Sequence, residues 1–139
     1  MEDENLSELF WSVARQLRHR SHESMQPFGI TPGQGRAFMV LVRHGTMRLS
    51  ELADHLRIAP RSTTEVVDGL QERGLVERLP DPADRRATLV RLTPAGADAA
   101  ERIRAERGAQ AERFFAALPE RDRAELARIL GALRVSDPT

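Results

Sequence analysis

The sequence predicts a mainly α-helical fold carrying one small β-hairpin, an α+β unit. Three observations predict it. Apolar residues recur at spacings of three and four over most of the chain. Thr31-Pro32 and Thr93-Pro94 pair a helix-capping side chain with a residue suited to the first helical turn. Two short β-compatible runs flank a stretch dense in turn formers.

The elements follow in order. Residues 4–25 place Leu6, Leu9, Phe10, Val13 and Leu17 on one face of an amphipathic helix, which Pro27-Phe28-Gly29 breaks. Thr31-Pro32 opens a second, mostly buried helix through Ala37, Phe38, Val40, Leu41 and Val42 to about Arg43, and His44-Gly45 ends it. Ser50 is expected to cap a short third helix, Glu51 to about Leu56, with Leu49, Leu52, Ala53 and Leu56 on its apolar face. After the break Arg57-Ile58-Ala59-Pro60, a fourth helix reaches Arg73 with Thr63, Val66, Val67 and Leu70 inward, and Gly74 is placed to cap it. Leu75–Leu79 and Ala87–Thr93 form the hairpin, joined by a long loop, Pro80 to Arg86, with basic residues at its tip. Thr93-Pro94 opens a long Ala/Arg/Glu helix to about Leu118, with Arg102 and Glu106 as an opposite-charge pair on its solvent face. Pro119 starts a last helix with Leu126, Ile129, Leu130 and Leu133 as its stripe. The expected order is α-α-α-α-β-β-α-α.

Composition narrows the function. The chain has 139 residues, so one domain, 1–139, is expected. With 40% hydrophobic and 30% charged residues it can build a core. It has no cysteine, which excludes disulfides, zinc–thiolate sites, iron–sulfur clusters and thiol redox chemistry within it. No apolar run approaches the roughly 18–20 residues that span a membrane. The opening Met1-Glu2-Asp3-Glu4-Asn5 is acidic where a secretory signal is basic. A soluble cytoplasmic protein is the expectation.

Basic and acidic residues number 21 each, a formal net charge of zero. A neutral total argues against indiscriminate polyanion binding and leaves the matter to local placement. Every basic residue is Arg, which suits bidentate contacts with phosphate and guanine; a GC-rich genome also produces that bias. No nucleophile–base–orienter pattern stands out, and Gly33-Gln34-Gly35 lies at a helix start, so no enzyme is expected. His19, His22 and Glu23 share a helix face without making a convincing metal site, and His44 and His55 are scattered. Neither metal nor cofactor is expected.

Two short helices with a tight break between them, followed at once by a hairpin, make a winged helix-turn-helix. Its second helix can enter the major groove of DNA while the hairpin flanks the duplex. Arg61, Ser62, Thr64 and Glu65 supply the polar outer face this needs, and Arg85 and Arg86 the cations at the loop tip. Each has an ordinary alternative. Arg61 can be a solvated charge at a helix start. Glu65 can accept from a cytosine amino group or orient an Arg. Asp84 can cap the turn, and Arg73 can answer the helix dipole.

Residues 30–96 resemble the MarR family of bacterial transcriptional regulators. The resemblance rests on Leu49-Ser50-Glu51-Leu52-Ala53, on Thr64-Glu65-Val66-Val67-Asp68-Gly69-Leu70 and on Glu72-Arg73-Gly74-Leu75-Val76-Glu77-Arg78. It continues through the wing, Asp81-Pro82-Ala83-Asp84-Arg85-Arg86, to Val90-Arg91-Leu92-Thr93-Pro94-Ala95-Gly96. It implies a homodimer reading a pseudo-palindromic operator, with a winged lobe at 30–93 and a helical dimerisation region at 4–25 and 94–134. Carried over, Arg61, Ser62, Thr64 and Glu65 face the major groove. Arg86, and Arg85 beside it, enter the minor groove, Asp84 braces the wing, and Ser50 and Arg73 touch the backbone. The resemblance further implies repression relieved by a small ligand, often a phenolic or lipophilic anion.

The residues argue for the dimer on their own. Leu6, Leu9, Phe10 and Val13 form one terminal stripe, and Leu126, Ile129, Leu130 and Leu133 another. Both must be buried, against each other or against a twofold mate. A twofold dimer would set its recognition helices roughly 34 Å apart, one duplex turn. A ligand pocket is expected between the first, second and fifth helices, lined by Trp11, His22, Met25, Phe28 and Phe38, residues that also suit plain core. Two rival readings are a winged-helix module that binds protein and a DNA-binding protein without a ligand.

Overall fold

The computed structural model describes residues 5–134. The acidic opening stretch up to Glu4, where the first helix is expected to begin, lies outside the described residues.

Helix α1 spans Leu6–Glu23, and Asn5 caps it by accepting from the Ser7 amide at 3.0 Å. A short 3-10 turn, Gln26–Phe28, follows and ends at Gly29 in the left-handed region (φ 69°). Helix α2 (Pro32–His44) opens on a reciprocal cap: the Thr31 hydroxyl accepts from the Gln34 amide, and the Gln34 side chain accepts from the Thr31 amide. Strand β1 (Met47–Arg48) leads into α3 (Leu49–Leu56), and α4 spans Pro60–Glu72. Strands β2 (Val76–Asp81) and β3 (Asp84–Leu92) form the hairpin, and α5 (Pro94–Phe115) and α6 (Glu120–Leu133) complete the chain.

The sheet is antiparallel in the order β1-β3-β2. Strand β1 is absent from the expected order because two residues carry no periodicity to read. It pairs Met47 with Val90 and Arg48 with Leu89. That pairing also moves the start of α3. The chain passes straight from β1 into the helix, and Glu51 accepts from the Arg48 amide at 3.2 Å. Ser50 therefore does not cap α3; it lies exposed in the first turn.

The hairpin also differs from expectation. Its turn is Pro82-Ala83, closed by Asp81 opposite Asp84, so most of the expected loop belongs to the strands. Pro80 is tolerated because β2 is an edge strand with β3 as its only neighbour. The turn stays short because Asp81 accepts from the Ala83 amide at 2.8 Å.

The core lies within residues 30–93, with Met25 and the start of α5 closing it. Phe38 and Leu41 of α2 pack with Leu52 of α3, Val67 and Leu70 of α4, Val76 and Val90 of the sheet, and Ile103 of α5. Side chains of this kind each contribute about 1.5–3 kcal/mol when buried. Gly96 shows why the strand-to-helix corner is closely specified. A Cβ there would overlap the Leu75 carbonyl oxygen, a backbone atom that cannot turn aside. Gly96→Ala should therefore cost about 1–3 kcal/mol of stability, as overpacking does. Chemical denaturation monitored by circular dichroism checks this, and an unchanged midpoint counts against such close packing. No helix among the described residues is long and apolar enough to cross a membrane.

Candidate nucleic-acid interface

Helix α4 presents a polar outer side because its apolar positions all turn inward. Thr63, Val67 and Leu70 are buried, and Arg61, Ser62, Glu65 and Asp68 are exposed. No side chain caps its start at Ala59. Its first amides are therefore open to an acceptor, and the helix dipole favours an anion there. Thr64 is half-buried, and its hydroxyl donates to the Pro60 carbonyl at 3.1 Å. Arg73 stands at the far end of the helix, about 18 Å along the axis from Arg61. Its guanidinium lies against Gly29, where a Cβ would overlap it.

Arg85 and Arg86 are exposed beside the hairpin turn and pair with no carboxylate among the described residues. Asp84 accepts from the Arg86 amide at 3.0 Å. It shapes the strand locally. The hairpin is anchored to the body by Asp81, whose buried carboxylate accepts from Arg48 Nε at 2.7 Å. The Ala83 amide first, and Arg48 second, hold this carboxyl below its ordinary range. The latch therefore adds stability above the ordinary carboxylate value and loses it as pH falls through the lowered folded value. Asp81→Asn should flatten that acid limb while the neutral-pH fold persists. Denaturation midpoints measured from pH about 5 down to about 2 read this out. A variant whose acid limb matches the native one would show that the latch does not set it.

The structure sorts arginines that the sequence leaves equivalent. Arg48 is tied to Asp81 and Arg91 to Glu77, both at 2.7 Å. Arg78 reaches from β2 to α4, donating to Asp68 Oδ1 and Gln71 Oε1 at 2.6 Å each and to the Thr64 carbonyl at 3.3 Å. Arg61, Arg85 and Arg86 have no carboxylate partner among the described residues. Sequence reasoning missed the roles of Arg48, Arg78 and Asp81. A signal for Arg78 existed, since it shares a strand face with buried Val76 and so turns towards α4.

Of the five expected pocket residues, Met25 and Phe38 lie in the core cluster with Phe28 packed against it. Phe38 and Met25 belong to the core, because the packing of α2 leaves them no open side. Trp11 is exposed and stands edge-on to Phe10 at 5.5 Å. His22 is half-buried. Phe28 borders a hollow of about 310 Å³ lined by Glu23, Ser24, Pro27, Phe28, Arg102, Glu106 and Gln110. It opens between α1, the 3-10 turn and α5, without α2. Glu106 pairs there with Arg113 at 3.3 Å, in place of the expected Arg102. His19 stands 3.5 Å from Glu23, and no third ligand joins them among the described residues.

Both terminal stripes are uncovered. Leu6 is 82% and Leu133 74% exposed, and Leu9, Phe10, Val13, Ile129 and Leu130 are exposed with them. Leu126 is half-buried. Neither α1 nor α6 buries a single residue.

The chain resembles known proteins in both sequence and structure. Residues 30–88 match the model of the MarR family. The transcriptional repressor MdtR of Bacillus subtilis is 32% identical over 111 residues, 80% of this chain and 72% of that protein. The crystal structure of ligand-free wild-type MarR from E. coli superposes with a TM-score of 0.82 at 27% identity, covering 96% of this chain and 99% of that one. RV1404 from Mycobacterium tuberculosis superposes at 0.83 with 28% identity, over 100% and 99% of the two chains. Alignment and superposition thus extend well past the winged lobe into the flanking helices, and the chain belongs to the MarR family of DNA-binding transcriptional regulators.

Proposed function

We propose that the chain acts as a homodimeric repressor that binds a pseudo-palindromic operator and is released from it by a small ligand. In this reading residues 30–93 form the DNA-binding lobe, and residues 4–25 and 94–134 the dimerisation region. Arg61, Ser62 and Glu65 meet base edges in the major groove, with the part-covered Thr64 beside them. Arg86, flanked by Arg85, enters the minor groove, with Asp84 shaping its strand. Ser50 and Arg73 touch the phosphate backbone.

The observation that carries the reading is where polar and apolar surface divide. Every exposed large apolar side chain among the described residues lies on α1 or α6, and none on α4 or the hairpin. A protein-binding wing would need apolar anchors that this face lacks. The DNA face offers guanidinium groups that pair with no carboxylate among the described residues, and the terminal helices offer two apolar stripes to a mate. Repression is supported by the likeness to a relative named as a repressor. For the ligand, Arg102 would meet an anionic head, and Phe28 and Pro27 an apolar ring. Glu23 and Glu106 on the same walls oppose further negative charge, which favours a phenolic or lipophilic monoanion. Calorimetric titration with aromatic carboxylates tests that part.

Selection of bound duplexes from a random pool tests the whole. The enriched sites should be inverted repeats with half-site centres about one duplex turn apart. Their affinity should fall steeply with salt as counterions are released. Enrichment of no sequence at low ionic strength would overturn the reading.

A further inference from the structure

We propose that Arg78 is a positioning residue that locks α4 to the wing, so that helix and hairpin meet DNA as one rigid piece. The inference rests on the DNA-binding reading above and adds a residue to which that reading gives no part.

The two elements that would touch DNA are joined by a short connection, and at their base Val67 and Leu70 pack with Val76 and Val90. Only Arg73-Gly74-Leu75 lies between α4 and β2, and Gly74 sits in the left-handed region at φ 73°. The Leu75 amide donates to the Leu70 carbonyl at 3.1 Å and holds the base of the junction, while Gly74 adds no side chain to fix the angle farther out, where a second brace would act. Arg78 is that brace. Its guanidinium reaches Thr64, Asp68 and Gln71, which stack on one face of α4 over two successive turns. A guanidinium holds its donors in a fixed plane, so bonds to three acceptors set orientation as well as distance. The group is three-quarters covered, with a side-chain exposure of 26%. Its charge also answers Asp68, a carboxylate on the proposed recognition helix that would otherwise repel phosphate.

Without this brace, helix and wing would be joined only through the core at their base, and their outer parts would have to be ordered further at the moment of binding. That ordering weakens binding without removing any contact with DNA. The consequence is specific. Arg78 lies back from the wing tip, and it shares no hydrogen-bond partner with Arg86 among the described residues. Even so, the value of Arg86 to DNA binding should depend on Arg78.

The test uses a duplex selected by the native chain and measures affinity across salt concentrations for native protein, Arg78→Ala, Arg86→Ala and the double variant. Arg78→Ala should weaken binding about tenfold with an unchanged salt slope, and the loss caused by Arg86→Ala should shrink about threefold in its background. A slope that falls by about one per subunit would make Arg78 a phosphate contact and overturn the proposal. Equal losses from Arg86→Ala in both backgrounds would overturn it too, since a merely local role leaves the wing's contribution additive. Should Arg78→Ala fail to fold, Asp68→Ala with Gln71→Ala removes the side-chain acceptors from exposed helix positions. The same cycle with that pair should again show a shrunken Arg86→Ala loss, and an undiminished loss would overturn the proposal. If the native chain selected no duplex, the DNA-binding reading itself would fall, and this inference with it.

Discussion

Replacing Phe10 and Leu133 together by Asp is expected to leave a folded monomer that no longer holds its operator. Both side chains are exposed in the single chain and contribute nothing to its core, so the winged lobe should persist. In a twofold dimer each would be buried, at about 1.5–3 kcal/mol of lost stabilisation per large apolar side chain. Symmetry doubles the loss, and an unpaired carboxylate placed in the interface adds its own desolvation cost. A monomer then meets one half-site alone and gives up the gain of linked binding, about 10²–10⁴ in affinity. Sedimentation equilibrium and titration of a selected duplex measure the two effects. A variant that stays dimeric would place the interface elsewhere. A monomer with native affinity would separate operator binding from dimerisation.

Arg86→Ala should weaken binding by about 10–100-fold and lower the salt slope by about two for the dimer, one for each wing. Stability should not change, because the Arg86 side chain is exposed and pairs with no carboxylate among the described residues. Its backbone amide still donates to Asp84 after the substitution, so the hairpin keeps its shape. Anisotropy titrations at several salt concentrations read both numbers. Native affinity at moderate salt would remove Arg86 from the DNA contacts. A lost melting transition would make it structural.

Much of this protein is legible in its residue order. Thr31 and Thr93 cap their helices where the sequence places the caps, and each accepts from an amide three residues on. Gly74 ends α4 in the left-handed conformation that such a position asks of a glycine. Those features are local, and a few neighbouring residues decide them. Ser50 shows the limit of the same reasoning. It has the right chemistry for a cap, yet Glu51 satisfies the helix start from within because β1 has drawn the chain into the sheet.

The candidate interface divides along the same line. That α4 has a polar outer face, and that the wing carries guanidinium groups, follows from periodicity and from turn formers. Which arginines are free does not. Arg48 meets Asp81 across 33 positions of sequence, and Arg78 meets Asp68 and Thr64 across 10 and 14. No residue pattern distinguishes them from Arg61 or Arg86. Phe38 and Met25 show a related limit: an aromatic or thioether side chain suits a ligand wall and a core equally well, and the packing of α2 sets both in the core.

By itself, then, the amino-acid sequence determined the helices, the presence of a hairpin and the polarity of each face, since periodicity, caps and turn formers act within a turn or two of chain, and its motifs determined the family. Only the tertiary structure decided the third strand, the buried latch beneath the wing and the division of arginines into tied and free. Those depend on strand register and on pairs brought together from distant positions, and chain order alone carries no measure of distance in space.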